Sequence, residues 1–349
     1  MKVGIYGAPF SGKTTVFKLL VGTDVNDEIG VAKVRDERVD FLSKMFNPKK
    51  TTYATTELVD LPGLSPELSR KDKNQILMKI QNVDAVLWII RAFEDESVPK
   101  YFDDASKEVQ YLRDELLVRD LEIAESNVEK LKNAKRKLST VEETQLKALE
   151  KCLITLNDDK FAKLADLSDD EKKILNAFSL FTLLESVIVV NLDENAFRSH
   201  DYKGKEGVKK VAEENGFSMM EVCGKLEMEI NDLEESERVE FLKDLGLTES
   251  GIQRLSKVLY SSLGLISFFT AGEDETKAWT IKRGLTFKEA AGKIHTDLER
   301  GFIRAEVVKF EDLKRLGSMK EIKTNGLMKL EGKDSIVEDG DIVNVRFSV

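Results

Sequence analysis

The chain has 349 residues, 34% charged and 41% hydrophobic, with 54 Lys and Arg against 64 Asp and Glu for a net charge of −10. That length allows two or three domains with cores of their own, and the acidic balance excludes a chain-wide nucleic-acid footprint, so DNA is not an expected partner and any RNA contact must be local. Two distant cysteines, Cys152 and Cys223, exclude a disulfide framework or a C-x-x-C zinc site and fit a reducing cytoplasm, and no apolar run reaches the length of a membrane span.

Val3-Gly4-Ile5-Tyr6 reads as a buried parallel strand and residues 15–20 as the helix that follows it. Between them Gly7-Ala8-Pro9-Phe10-Ser11-Gly12-Lys13-Thr14 fits G-x-x-x-x-G-K-[ST], the phosphate-binding loop, in the strand-to-helix context that pattern requires. Its glycines let consecutive N–H groups and the helix N-terminus point at anionic oxygens. Residues Ala8 to Thr15 are therefore expected to hold a nucleoside triphosphate, with Lys13 on the β- and γ-phosphates and the Thr14 hydroxyl on Mg²⁺.

Glu57-Leu58-Val59-Asp60 is the next apolar strand, and Asp60-Leu61-Pro62-Gly63 at its end fits the D-x-x-G of switch GTPases. In that reading Asp60 holds Mg²⁺ through a water and the Gly63 N–H donates to the γ-phosphate, a contact that exists only while that phosphate does. Leu64 stands where Ras-like enzymes place the Gln that orients the attacking water, so another group must do this, with Gln75, Gln81 and backbone groups open. Residues 85–90 form a further apolar strand. With intervening helices, these strands predict a doubly wound parallel sheet with its ligand at the carboxyl ends.

From about 96 to 178 glycine disappears and Glu and Lys dominate. Leu117, Leu121, Ala124, Val128, Leu131 and Leu138 fall on a heptad seam, and Leu146, Leu149, Leu153 and Leu156 form a second stripe beyond a break at Ser139-Thr140. This spacing predicts an antiparallel α-helical coiled-coil hairpin inserted in the nucleotide domain, its charges mostly solvated.

Residues 186–191 return to the apolar strand pattern, and Asn191-Leu192-Asp193-Glu194 then occupies the place of N-K-x-D, the guanine-reading motif. The usual aspartate accepts two hydrogen bonds from guanine. Glu194 is one methylene longer and Leu192 replaces the lysine that packs along the base, so guanine recognition weakens and adenine becomes plausible. Cys223-Gly224-Lys225 matches the S-A-K position that closes the base pocket. Near the C-terminus, strand-like runs at 277–281, 305–308 and 342–347 with one helix at 286–295 predict a small β-grasp-like domain.

The order of these elements resembles the Obg-like ATPases of the YchF type. The resemblance is most specific in Lys277-Ala278-Trp279-Thr280-Ile281, Ala290-Ala291-Gly292-Lys293-Ile294-His295-Thr296-Asp297, Gly301-Phe302-Ile303-Arg304-Ala305-Glu306 and Leu330-Glu331-Gly332-Lys333-Asp334. Asn191-Leu192-Asp193-Glu194 is similar to the family's N-x-x-E, which implies ATP in preference to GTP. The resemblance implies an α/β P-loop nucleotide domain over 1–95 and 179–270, a coiled-coil insertion over 96–178 and a TGS domain over 271–349. It also implies a cytoplasmic, Mg²⁺-dependent ATPase that binds the ribosome or ribosomal RNA and acts in translation or stress regulation. Lys13, Asp60 and Gly63 would carry the chemistry, Thr14 and Asp60 the metal, and Asn191, Leu192, Glu194, Cys223, Gly224 and Lys225 the base.

The chain departs from the family pattern at three places. Phe10-Ser11 stands for Asn-Val in the loop, Ser65-Pro66-Glu67-Leu68-Ser69-Arg70-Lys71 replaces a Gly-rich second switch, and a short first switch leaves Thr23 as the nearest metal-ligating threonine. Slow turnover is therefore expected. A nucleotide-gated module without hydrolysis and a GTPase are the alternatives.

Overall fold

The computed structural model describes residues 1–22 and 27–348. Twelve strands are present among them: β1 Lys2–Tyr6, β2 Ile29–Val34, β3 Lys50–Thr52, β4 Ala54–Asp60, β5 Ala85–Ala92, β6 Glu185–Leu192, β7 Ser218–Val222, β8 Leu265–Ala271, β9 Glu275–Lys282, β10 Phe302–Lys309, β11 Lys329–Glu331 and β12 Asp341–Phe347. They form two six-stranded sheets, ordered β2-β4-β1-β5-β6-β7 and β11-β10-β12-β8-β9-β3. The chain divides into two compact units, residues 1–30 with 57–254 and residues 31–56 with 255–349.

In the first unit β1 pairs in parallel with both β4 and β5, and β5, β6 and β7 continue in parallel. Strand β5, Ala-Val-Leu-Trp-Ile-Ile-Arg-Ala, is buried along seven of its eight residues, as expected of a central strand covered on both faces. Because all five strands run the same way, Tyr6, Asp60, Ala92, Leu192 and Val222 end at one rim of the sheet. That convergence positions the site.

The helical insertion shares this core. The helix Ala105–Lys132 buries Val109, Leu112 and Leu116 in the same apolar cluster as Tyr6, Trp88 and Ile188. The Tyr6 hydroxyl donates to the Leu112 carbonyl at 3.0 Å, and the Tyr6 ring meets Trp88 edge-on at 5.2 Å. Asp120, fully buried, accepts from the Phe181 and Thr182 amides and the Thr182 hydroxyl at 3.0, 2.7 and 2.6 Å. No break in packing therefore marks 95/96 or 178/179. The expected seam holds at Leu117, Ala124 and Val128, which are buried, but Leu138 lies in the turn beyond the helix end at Lys132. Ser139 caps the second helix, Thr140–Asn157, with a full capping box to Glu142.

The second unit starts well before residue 271, the boundary read from composition. Phe268 and Phe269 sit in β8, which pairs with β9 along its whole length and with β12 at Ile342. Alternation in a strand sends these two fully buried rings to opposite faces, Phe268 into a cluster with Phe287 and Val343, Phe269 into one with Val39, Leu42 and Phe310. Residues 31–56, read as part of the nucleotide domain, belong here as well, through β3 alongside β9 and the helix Glu37–Phe46 in the Phe269 cluster. The helix expected at 286–295 is Phe287–Ile294, with Thr286 as its N-cap.

Candidate functional site

The turn from β1 into the helix Lys13–Val21 is shaped by backbone constraints. Gly12 has φ +92°, and a Cβ there would lie 2.2 Å from Asn191 Nδ2, so the position admits only glycine. The helix has no side-chain cap and no acid in its first turn. Its first N–H groups are thus free of internal competition for an anion.

Lys13 is buried and folds back on the loop, its Nζ donating to the Ala8 carbonyl at 2.7 Å. Burial pushes its ammonium down to about 8, against the pull of Asp60 and Glu108. The Thr14 hydroxyl donates to Asp60 Oδ2 at 2.6 Å, while Asp60 Oδ1 is buried with no hydrogen-bond partner among the described residues. Gly63 abuts the loop from the other side, where a Cβ would lie 2.5 Å from the Pro9 nitrogen. The Leu64 amide donates to the Gly7 carbonyl at 3.0 Å. The Leu64 side chain is fully buried in the core. D-x-x-G and the phosphate loop are thus in direct contact.

An open depression of about 440 Å³ lies over this turn, lined by Phe10, Gly12, Lys13, Thr14, Thr15, Phe93, Asp95 and Val98. Gln75 and Gln81 are not in its lining. Phe93, Asp95 and Val98 come from the loop after β5, which the motifs do not reach. Arg91 organises that loop: its guanidinium donates to the carbonyls of Phe93, Asp95 and Pro99 at 3.2, 3.1 and 2.9 Å and lies over the Phe93 ring. The Arg91 backbone N–H donates in turn to Glu108 Oε2 at 3.1 Å. Glu108 is almost wholly buried, and desolvation raises its carboxyl to about 7 despite the Arg91 and Ala8 amides and the charges of Lys13 and Arg91. The sequence signal for this pair is a charged residue closing an apolar strand, and an acid on the inward stripe of a helix.

The base-reading elements divide. Asn191 is a buried strut, donating from Nδ2 to the Ser11 carbonyl at 3.1 Å and accepting at Oδ1 from the Gly224 amide at 3.0 Å. It ties the phosphate loop to the Cys223-Gly224 turn, and those two atoms are committed inside the protein. Leu192 and Cys223 are buried in the packing, so neither presents its side chain to a base. Glu194 and Lys225 are the accessible pair, joined at 2.9 Å. Ser11 and Ala8 are buried in the loop, whereas Thr14 and Phe10 are exposed. Thr23, the nearest candidate for a switch threonine, lies outside the described residues.

Two family models match the chain: one described as a 50S ribosome-binding GTPase over residues 2–178, and the C-terminal model of the YchF GTPases, described as a protein of unknown function, over residues 265–348. The chain is similar to the ribosome-binding ATPase YchF of Bacillus subtilis, 34% identical with all of both chains covered. It is 33% identical to the protein of that name from Shigella flexneri, covering 100% of this chain and 99% of the relative. A solved structure of the Schizosaccharomyces pombe YchF GTPase superposes with a TM-score of 0.88 at 29% identity, covering 99% of this chain and 97% of the other. With the loop, the strand-end aspartate, the helical insertion and the C-terminal sheet all present in the order those relatives share, the chain belongs to the YchF family of P-loop nucleotide-binding proteins.

Proposed function

We propose that the protein is a Mg²⁺-dependent, ATP-binding switch that hydrolyses ATP slowly and associates with the ribosome in the cytoplasm. One observation carries the nucleotide assignment: the Thr14 hydroxyl and Asp60 carboxylate meet at 2.6 Å beside a buried, unpartnered Asp60 oxygen, with the Lys13 ammonium in the same turn. Hard oxygen ligands of this kind suit Mg²⁺, which when bound would neutralise charge on the β- and γ-phosphates. Lys13 would leave the Ala8 carbonyl for those phosphates, and the Gly63 N–H would report the γ-phosphate through its contact with Pro9. The names of the relatives, ribosome-binding ATPases, support ATP and the ribosome as partners. No described helix is long and apolar enough to cross a membrane.

The Leu64 burial favours a second reading, a nucleotide-gated module with little hydrolysis, because no polar side chain replaces the missing Gln at that position. Single-turnover ATP hydrolysis with ribosomes titrated in separates the two. A rate that rises with ribosomes supports the switch enzyme, and a rate no different from that of Lys13→Ala at any ribosome concentration supports the module. Competition of labelled ATP by GTP tests the GTPase alternative.

A further inference from the structure

The turn of the helical hairpin carries the most concentrated positive charge of the chain. Residues 130–141 hold Lys130, Lys132, Lys135, Arg136 and Lys137 and no carboxylate, in a protein whose net charge is −10. The last buried side chain of the first helix is Val128 and the first of the second is Ala148. Between them only Leu131 and Leu146, both partly buried, pack against the core, and the residues around the turn itself contribute no buried side chain. The turn projects as a finger: the nine residues from Thr140 to Ala148, eight helical steps, span about 12 Å of helix.

Part of this charge has a local explanation. Lys130 and Lys132 lie in the last turn of a helix, where cations complement the dipole. Lys132 pairs with Glu150 at 2.7 Å, and Arg136 with Glu142 at 2.8 Å. Lys135 and Lys137 lie beyond the helix end, and together with Lys130 they are exposed and have no ion-pair partner among the described residues. The acids nearest in sequence are Glu129 on one flank and Glu142 and Glu143 on the other, with Glu142 already engaged by Arg136 and Glu150 by Lys132. Crowded lysines repel one another in the free protein, and a polyanion relieves that repulsion. By contrast, two cations of the C-terminal unit are neutralised within that unit, Arg300 by Asp297 and Lys309 by Glu338 and Asp341.

We propose that the hairpin tip is an RNA-docking finger, in which Lys130, Lys135 and Lys137 contact the phosphate backbone of structured ribosomal RNA. This rests on the ribosome association proposed above and assigns it to a surface. Flexible lysines on a protruding turn reach phosphates without reading bases, so the contact is insensitive to sequence and sensitive to salt.

The test compares wild type, a Lys130→Glu/Lys135→Glu/Lys137→Glu variant and the corresponding triple Arg variant, with ribosomes and with protein-free ribosomal RNA across a salt series. The Glu variant is expected to lose at least tenfold in affinity for both and to lower the slope of log affinity on log salt by about two to three. The Arg variant should bind as wild type does, and ATP affinity should stay within twofold throughout. Wild-type ribosome binding that survives the Glu variant overturns the finger and leaves ribosome association standing. Loss with ribosomes but not with bare RNA places the contact on a ribosomal protein and overturns the RNA assignment. If wild type does not bind ribosomes, the association itself fails, and equal binding of bare RNA by wild type and the Glu variant then overturns the finger as well.

Discussion

Glu108 accepts the backbone N–H of Arg91 at 3.1 Å, and the Arg91 side chain in turn holds three carbonyls of the loop that walls the nucleotide depression. A buried acid thus braces the end of β5, one residue short of that loop. Its carboxyl, raised to about 7 by burial, binds a proton in the folded chain over a range where the unfolded chain has lost it. The stability it contributes is present below the unfolded value near 4.5 and is lost as pH rises through about 7.

Glu108→Gln keeps the acceptor and removes the titration. Thermal melts of wild type are expected to fall between pH 5 and 7.5, and the variant should lose part of that fall, about 2–3 kcal/mol for a shift of this size. Asp120, raised to about 6 by burial, contributes with the same sign, so a residual slope is expected in the single variant and its loss in Glu108→Gln with Asp120→Asn. Parallel slopes for wild type and Glu108→Gln would show that Glu108 is charged in the folded chain at pH 5.

Lys13→Ala is expected to weaken ATP binding at least tenfold, about 1.4 kcal/mol, while strand and helix stay intact. The sign of its titration gives a second readout. Burial holds the free Lys13 ammonium at about 8, and a polyphosphate beside it favours the charged form. ATP binding near pH 8.5 should therefore take up protons, seen by calorimetry in buffers of different ionisation enthalpy, and Lys13→Ala should take up fewer. Unchanged affinity in the folded variant would remove the phosphate-loop assignment.

The phosphate loop and D-x-x-G were legible in the sequence because each is a local pattern at a strand end, and the parallel sheet brings such ends together. Asn191 was legible as a position but not as a strut, since its partners, Ser11 and Gly224, are 180 and 33 residues away. Glu108 was missed because a helical stripe read as solvated charge in fact faces the sheet, and Arg91 because it follows the apolar run 85–90 of β5 and its partners lie in the loop beyond. Residues 31–56 were misassigned for a similar reason. Their place is set by a three-residue strand, β3, and by burial of Val39 and Leu42 beside Phe269, neither of which leaves a periodic signal.

Base choice is expected to depend on Glu194 and Lys225, the accessible ion pair at the rim. Lys225→Ala frees the carboxylate, and Glu194→Asp shortens it by one methylene toward the guanine-reading geometry. Each should lower the ATP-to-GTP affinity ratio several-fold. Leu192→Lys would be a poor probe, because it places an ammonium at a position only 2% exposed, and unpaired buried charge costs several kcal/mol. Wild type that binds GTP more tightly than ATP in calorimetry would refute the adenine preference.

The placement of Phe269 makes a prediction about the second unit. A fully buried ring that joins Val39, Leu42 and Phe310 leaves a large cavity when truncated, so Phe269→Ala is expected to destabilise that unit by about 3–5 kcal/mol. Phe347, at the open end of β12 and 48% exposed, is the control, and its replacement by Ala should cost under 1 kcal/mol. Truncation after residue 270 would strip β8 of both neighbours and expose Phe268 and Phe269 together, so an aggregating product is expected where a composition-based boundary promises a soluble one. Truncation after 254 removes β8 as well and leaves only residues 31–56 of the second unit, without the strand and rings they pack on. Hydrogen exchange on the full chain gives the cleanest check. In Phe269→Ala, amides of residues 39–46 should lose protection along with those of 305–313, although the two stretches are more than 250 residues apart. Protection that changes in only one of them would mean that residues 31–56 and the C-terminal sheet do not share a core.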